Sequence, residues 1–138
     1  MRLGRDQKVD LIKQVPLFAR CSRKELAAVA SVADEIDFPA GKELIREGAP
    51  GREFFVLLDG TVEVKRKGRR VNRLQGGDFF GEIALISRSP RTATVVTTSP
   101  VRSLVITDRS FRTLLERSPD IQLKVLEALA ERLAPAMI

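Results

Sequence analysis

Glycine recurs at close intervals through the middle of the chain, and this spacing restricts the fold more than any other feature of the sequence. Between residues 35 and 106 it separates short runs of β-branched and aromatic residues. Runs of this kind, bounded by turn residues, are typical of short strands. The predicted strands cover 35–38, 42–46, 53–58, 61–67, 70–75, 92–98 and 101–106. Seven or eight short strands with tight turns indicate a β-sandwich or a jelly roll.

Two neighbouring runs show how their strands should be buried. Residues 54–58 are continuously apolar, as expected for a strand that is covered on both faces. Residues 61–65 alternate, so Val62 and Val64 should face a core while the polar residues beside them face water. The Asp-Gly dipeptide at 59–60, between the two runs, predicts a hairpin.

Helical periodicity replaces the β pattern near the N-terminus. Pro16 should end a first helix, whose apolar residues are Val9, Leu11, Ile12 and Val15. Ser22 and Glu25 form a capping box, in which each side chain accepts a hydrogen bond from the backbone amide of the other residue. A second helix should therefore begin after Ser22. Its buried stripe should consist of Leu26, Val29, Ala30, Val32 and Ala33.

Two further helices should follow the β region. Asp108 can cap the first, and Ser118 followed by Pro119 is a cap with proline at the first helical position of the second. Pro135 should end that last helix. The apolar residues expected to face inward are Phe111, Leu114 and Leu115 in the first, and Ile121, Val125, Leu126, Leu129 and Leu133 in the second.

The length of the chain bounds its organisation. With 138 residues it is long enough for one domain with a real core and too short for two comfortable ones. We therefore predict a single domain over 1–138, mainly β with flanking helices. It should consist of N-terminal helices (1–34), a β-roll (35–107) and two C-terminal helices (108–134).

The residue types present exclude several classes of site. The chain has no histidine and a single cysteine, Cys21. Zinc clusters, iron–sulfur cages, a disulfide within the chain and histidine-dependent nucleophilic catalysis are therefore excluded. A lysine-based or paired-carboxylate enzyme stays open on composition alone. We expect no catalytic residue, no metal and no cofactor.

The charge and hydropathy patterns bear on location and partners. No apolar run approaches the roughly 20 residues of a membrane helix, and the N-terminus has no signal-peptide pattern, so we expect a cytoplasmic chain without a membrane partner. The net charge is +6, and the densest basic segment surrounds Gly68 at a predicted hairpin tip. Its cations are Lys65, Arg66, Lys67, Arg69, Arg70 and Arg73. Because no aromatic residue accompanies them, we interpret the segment as a solvated tip and expect no direct nucleic-acid binding.

One segment, residues 79–94, does not fit a plain β pattern. Gly81 would let the backbone approach a ligand, and residues 82–86 could form a short helix whose first amides are donors for a phosphate. Glu82 in the first turn can accept a hydrogen bond from a sugar hydroxyl. Arg91 can give the same anion a bidentate, charge-assisted contact. Together these groups describe a receptor for the sugar–phosphate end of a nucleotide.

The strings FGEIAL and PRTATV, at their spacing in this chain, resemble the phosphate-binding cassette of cyclic nucleotide-binding domains. Such domains occur in catabolite activator proteins, in regulatory subunits of cAMP-dependent kinases, in cGMP-dependent kinases and in nucleotide-gated channels. The resemblance extends upstream to VPLFARCSRKELAAVA, FPAGKELIREGAPG and FFVLLDGTVEV, and downstream to FRTLLERSPDIQLKVLEALAERL. It thus covers nearly the whole chain and implies that the β-roll is a jelly roll, or double-stranded β-helix.

The resemblance also implies a function and a set of contacts. The function is a regulatory sensor of a cyclic nucleotide, with cAMP as ligand and cGMP as a second candidate, and not an enzyme. Glu82 would bind the ribose 2′-hydroxyl, and Arg91 would bind the exocyclic phosphate oxygens. Thr92 is similar to the threonine of cGMP-responsive members, whose hydroxyl can bond the guanine amino group, although threonine also suits a β-strand. The remaining predicted ligand-binding residues are Phe80, Gly81, Ile83, Ala84 and Ala93.

In the family, the last helix acts as a lid over the base or as a dimer seam. Arg132 could then reach the purine face as a cation over a π-system. A homodimer and a fused or partner effector domain are both open as partners. Two other functions are also open: the ligand-binding part of a transcription regulator without its DNA-binding domain, and a degenerate β-roll that reads another ligand.

Overall fold

The structure of the chain is a computed structural model, which describes residues 3–87 and 89–137, and of residues 132–137 only the backbone. Contacts between residues divide the chain into two compact units, Met1–Ala33 with Ser110–Ile138, and Asp34–Arg109. The first unit is helical, and the second contains the strands. The expectation of a single domain over 1–138 stays a prediction.

The helical unit is built from four helices and a short 3₁₀ turn. They are α1 (Arg5–Lys13), the 3₁₀ turn (Pro16–Phe18), α2 (Arg23–Ser31), α3 (Asp108–Arg117) and α4 (Pro119–Met137). Phe18 and Phe111 are fully buried in this unit, and their rings meet edge to face with centroids 5.7 Å apart. In the part of the chain that the structure describes, no helix is both long and apolar enough to cross a membrane.

The predicted capping box at the start of α2 is confirmed. Ser22 Oγ accepts from the Glu25 amide at 3.2 Å, and the Glu25 carboxylate accepts from the Ser22 amide at 2.7 Å. Lys124 of α4 donates to the same carboxylate, and this bond, followed by the bond from the Ser22 amide, lowers the pKa of Glu25. Burial, and then the charge of Glu25, raise the pKa of the Cys21 thiol to about 11. Cys21 is therefore a protonated, weakly reactive thiol at neutral pH.

Two predictions for the last helix are wrong. The helix continues past Pro135 to Met137, which the fixed φ of proline permits because that φ is itself helical. Leu126 was expected to be buried but is 59% exposed, whereas Ala128 is buried. The buried face of α4 follows a spacing of four and three residues, which Leu126 does not share. The side chain of Leu133 lies outside the described residues.

The β unit contains eight strands among the described residues, namely the seven that the sequence predicted, within one or two residues at most ends, and one short addition. They are β1 (Asp34–Phe38), β2 (Glu43–Ile45), β3 (Glu53–Asp59), β4 (Thr61–Arg66), β5 (Arg69–Gln75), β6 (Phe79–Phe80), β7 (Thr94–Thr97) and β8 (Val101–Thr107). They form two antiparallel sheets of four strands, in the orders β1-β8-β3-β6 and β2-β7-β4-β5. The predicted jelly roll is confirmed.

The core of the β unit lies where the inner faces of strands from both sheets pack together. As predicted, β3 is covered on both faces, with four consecutive buried residues from Phe54 to Leu57. Val62 is fully buried and Val64 packs against the same core cluster, so the predicted inner face of β4 is confirmed. This inner face matters for the site, because its next position along β4 is Arg66.

The hairpin predicted at residues 59–60 is wrong, since β3 and β4 belong to different sheets. Gly60 has φ +98°, and the carbonyl oxygen of Pro100 lies where a Cβ would be placed. The turn therefore carries the chain from one sheet to the other. The basic hairpin tip at Gly68 is confirmed: β4 and β5 pair, and Lys67 and Gly68 between them both have positive φ, as a type I′ turn requires.

Candidate ligand-binding site

The segment that follows β6 leaves the sheet through a tight turn. Phe80 pairs with Phe55 of β3, and their rings stack with centroids 4.9 Å apart. Gly81 then leads into a 3₁₀ helix, Glu82–Leu85, where the sequence predicted a short helix over 82–86. The Ala84 amide donates to the Gly81 carbonyl at 3.1 Å, so the turn itself uses one of the amides that were expected to be available.

Gly81 is required by both its backbone conformation and its surroundings. Its φ is +84°, in the left-handed region that side chains disfavour. A Cβ at this position would lie 2.9 Å from Nη1 of Arg91 and 2.9 Å from the carbonyl oxygen of Glu53. Glycine therefore lets the guanidinium of Arg91 lie directly against the backbone.

Arg91 is half-buried and its guanidinium is held by main-chain oxygens. Nη2 donates to the Glu53 carbonyl at 2.5 Å, and Nη1 makes a longer contact with the Gly81 carbonyl at 3.4 Å. Burial lowers the pKa of Arg91, while the nearby charge of Glu53 acts in the opposite direction. Arginine stays charged despite such a shift. Among the residues that the structure describes, Arg91 forms no ion pair, so its positive charge is not neutralised within the β unit.

A loop that the sequence analysis did not assign to the site fixes the backbone of Arg91. The Arg91 amide donates to the Ala49 carbonyl, and the Gly48 amide donates to the Arg91 carbonyl, both at 2.8 Å. Gly51 lies against the side chain: a Cβ there would be 2.9 Å from Nε of Arg91. Arg91 is thus enclosed between two glycines, Gly51 and Gly81.

Two adjoining clefts open beside Arg91. The larger has a volume of about 400 Å³ and the smaller about 190 Å³, and both are lined by Phe80, Gly81, Arg91 and Thr92. The larger cleft adds Glu82, Ile83 and Ala84, among others. The smaller adds Ile45, Val64, Arg66, Ala93 and Val95. The sizes and the mixture of apolar walls with a few polar groups suit a small ligand.

All eight ligand-binding residues predicted in the β unit line one or both clefts. Thr92 does so from a bend that precedes β7, and not from a strand beginning at residue 92 as predicted. Thr94, the first residue of β7, instead accepts the Glu47 amide at 2.9 Å. The side chain of Arg132, the predicted base lid, lies outside the described residues.

Sequence reasoning missed three contributors to this site. Gly51 lies against the Arg91 side chain, and the Glu53 carbonyl accepts a hydrogen bond from Arg91 across 38 positions of the chain. No local sequence pattern identifies either contact. Arg66 lines the smaller cleft, although we assigned it to the solvated tip. The signal that could have found it is the alternation of β4, because Val62, Val64 and Arg66 share one face.

A larger cavity, of about 730 Å³, lies within the helical unit and is lined by residues of α2, α3 and the start of α4. Lys124, one of its cations, is already paired with Glu25. Volume alone does not mark a binding site, and this cavity is lined by both acidic and basic residues.

Comparison with known families and proteins gives concordant results. A family model described as the cyclic nucleotide-binding domain matches residues 35–118, which include every residue that lines the two clefts. The cAMP-dependent protein kinase regulatory subunit of Aspergillus fumigatus is 38% identical over 112 residues, covering 80% of this chain and 27% of that protein. A putative potassium channel protein of Rhodopseudomonas palustris is 34% identical over 119 residues, covering 83% and 29%. The chain thus spans less than a third of the length of these relatives.

Solved structures resemble the chain over most of its length. The N-terminal domain of a transcriptional regulator from Streptomyces coelicolor A3(2) superimposes with a TM-score of 0.84 at 27% identity, covering 92% of this chain and 94% of that one. A cyclic nucleotide-binding-like protein from Brucella abortus gives a TM-score of 0.74 at 26% identity, covering 80% and 99%.

Proposed function

Because the chain belongs to the cyclic nucleotide-binding domain family, we propose that it binds cAMP or cGMP in the two adjoining clefts and acts as a regulatory sensor. The relatives reported above are a kinase regulatory subunit and a channel protein, which favours a binding role over a catalytic one. Occupancy of the site would control an effector domain or partner.

The observation that carries this proposal is the state of Arg91. Arg91 is half-buried, its guanidinium is partly desolvated, and it forms no ion pair with a carboxylate among the described residues. An arginine has five N–H donors, and the two bonds to carbonyl oxygens leave three for a ligand. The exocyclic oxygens of a cyclic phosphate would supply both the missing negative charge and the acceptors.

Glu82 restricts the ligand further. Glu82 lines the same larger cleft as Arg91. A phosphate beside Glu82 would be repelled, whereas a hydroxyl would donate to it. A ligand for this cleft should therefore present an anion at one end and a sugar hydroxyl at the other, as a ribose cyclic phosphate does.

Isothermal titration with cAMP and cGMP, on protein first stripped of bound nucleotide, tests the proposal. Wild type should bind at least one of them. Arg91→Ala should lose on the order of 2–5 kcal/mol of binding free energy, which is more than tenfold in Kd. Arg69→Ala is the matched control, since Arg69 is an exposed cation of β5 that lines neither cleft.

Two results would contradict the proposal in different ways. If stripped wild type binds neither nucleotide, the function is wrong and a degenerate β-roll that reads another ligand is favoured. If wild type binds but Arg91→Ala binds as tightly as Arg69→Ala, the function holds and the assignment of the phosphate site is wrong. Circular dichroism of each variant shows whether a loss of binding reflects a loss of fold.

A second candidate is the ligand-binding part of a transcription regulator. It is favoured by the TM-score of 0.84 to the N-terminal domain of such a regulator. A coding sequence that continues past residue 138 into a helix-turn-helix pattern would support this candidate. Continuation into a kinase-inhibiting or channel segment would contradict it, and neither outcome affects the proposed ligand.

A further inference from the structure

Arg66 occupies an unusual place for a cation in a jelly roll. Side chains of a strand alternate between its faces, so Val62, Val64 and Arg66 of β4 point the same way. Val62 is fully buried in the core and Val64 packs against it. The register shift between β4 and β5 adds its extra residue on β5, so the alternation of β4 is unbroken. Arg66 therefore lies on the inner face of β4, at the end of the strand next to the hairpin tip.

At that end lies the smaller of the two clefts. Arg66 lines it together with Val64 of the same strand, and Thr92 and Ala93 lie on the adjoining segment. This cleft shares four residues with the larger one, Arg91 among them. A nucleotide with its phosphate on Arg91 and its sugar in the larger cleft has the smaller cleft as the space for its base.

The donors of Arg66 are unused, and its position is electrostatically unfavourable. Within the described ranges 3–87 and 89–137, the side chain of Arg66 forms neither a hydrogen bond nor an ion pair, whereas the side chains of Arg70 and Arg73 both lie 3.9 Å from Glu63. The residue directly opposite Arg66 across the hairpin is Arg69. Two like charges placed opposite each other in antiparallel strands destabilise the pairing. A cation that served stability alone would face a carboxylate there.

The chemistry of the two purines differs at the edge that a guanidinium recognises best. Guanine presents two acceptors, O6 and N7, which match the fork of an arginine in a bidentate contact. Adenine presents N7 beside an amino group, which is a donor and cannot accept from arginine. Building on the proposed function, we infer that Arg66 is a specificity-determining residue that binds O6 and N7 of the base and shifts selectivity towards guanine.

The inference is tested by titrating wild type, Arg66→Ala and Arg69→Ala with cAMP, cGMP and cIMP. The base of cIMP retains O6 and N7 but lacks the 2-amino group, so it separates a contact by Arg66 from any contact by Thr92. Arg66→Ala should weaken cGMP and cIMP by between about fivefold and 100-fold. Arg66→Ala should weaken cAMP binding by about twofold or less. Arg69→Ala should weaken binding of all three nucleotides to a similar extent, because each variant removes one exposed cation near the clefts.

The outcomes separate this inference from the proposed function. If wild type binds no cyclic nucleotide, both are overturned. If wild type binds but Arg66→Ala matches Arg69→Ala with every ligand, only the role of Arg66 is overturned. Equal losses for all three nucleotides in Arg66→Ala also overturn it, since Arg66 would then contact the sugar or phosphate that the ligands share. A loss confined to cGMP, with cIMP unaffected, would assign the contact to the 2-amino group and contradict the inference.

Discussion

Comparing Gly81→Ala with Gly41→Ala should separate the cost of placing alanine in a left-handed backbone from the cost of a steric clash with Arg91. Both glycines have left-handed backbones, with φ of +84° and +81°. An alanine in that conformation costs about 1–2 kcal/mol at either position. No atom lies within 4 Å of a Cβ built at Gly41, whereas one at Gly81 would lie 2.9 Å from both the Arg91 guanidinium and the Glu53 carbonyl. Such overpacking adds about 1–3 kcal/mol.

Gly41→Ala should therefore lose about 1–2 kcal/mol of unfolding free energy, and Gly81→Ala about 2–5 kcal/mol. Urea titration followed by far-ultraviolet circular dichroism measures both, and fluorescence is unsuitable because the chain has no Trp or Tyr. Gly81→Ala should also weaken nucleotide binding at a temperature where it is folded, since Arg91 must move to make room. Equal stability losses in the two variants, or unchanged binding by Gly81→Ala, would refute the close packing of Arg91 on the backbone.

Two further perturbations probe other parts of the chain. Thr92→Ala should weaken cGMP but leave cAMP and cIMP nearly unchanged if its hydroxyl contacts the guanine amino group; equal losses in a three-ligand titration would remove that contact. The pKa of Glu25 is lowered in the folded state from an ordinary value of 4.5, so its contribution to stability is complete above that pH and is lost as the pH falls towards the lower, folded pKa. Urea midpoints measured across the acid range should fall less steeply for Glu25→Gln than for wild type, and identical slopes would contradict the prediction.

Local patterns were enough to locate the strands and the cassette segment. Alternation and continuous apolar runs are determined by which faces of a strand are buried, and the capping box is a contact between residues three apart. The residues from Phe80 to Ala93 that the sequence assigned to the ligand do converge on the clefts. For these features the information lies within a few residues of the element concerned.

The errors have a common physical origin in contacts between distant residues. The dipeptide at 59–60 encodes a tight turn, but which sheet the next strand joins depends on β7, the partner of β4 that lies far along the chain. Glu53 binds Arg91 through its carbonyl oxygen, a group that every residue possesses. Leu126 is exposed because the burial of a helix depends on what packs against each face, which periodicity alone does not specify.

The enclosure of Arg91 between Gly51 and Gly81 has a consequence for how such a site can change in evolution. A guanidinium packed against two glycines and a main-chain oxygen tolerates almost no substitution among its neighbours. Thr92 and Arg66, by contrast, are both exposed residues at the rim of the clefts, with room for other side chains. Substitutions that retune selectivity can therefore accumulate at the rim without disturbing the interior. Under the proposed function, ligand preference and phosphate affinity would be separately adjustable properties of one small pocket.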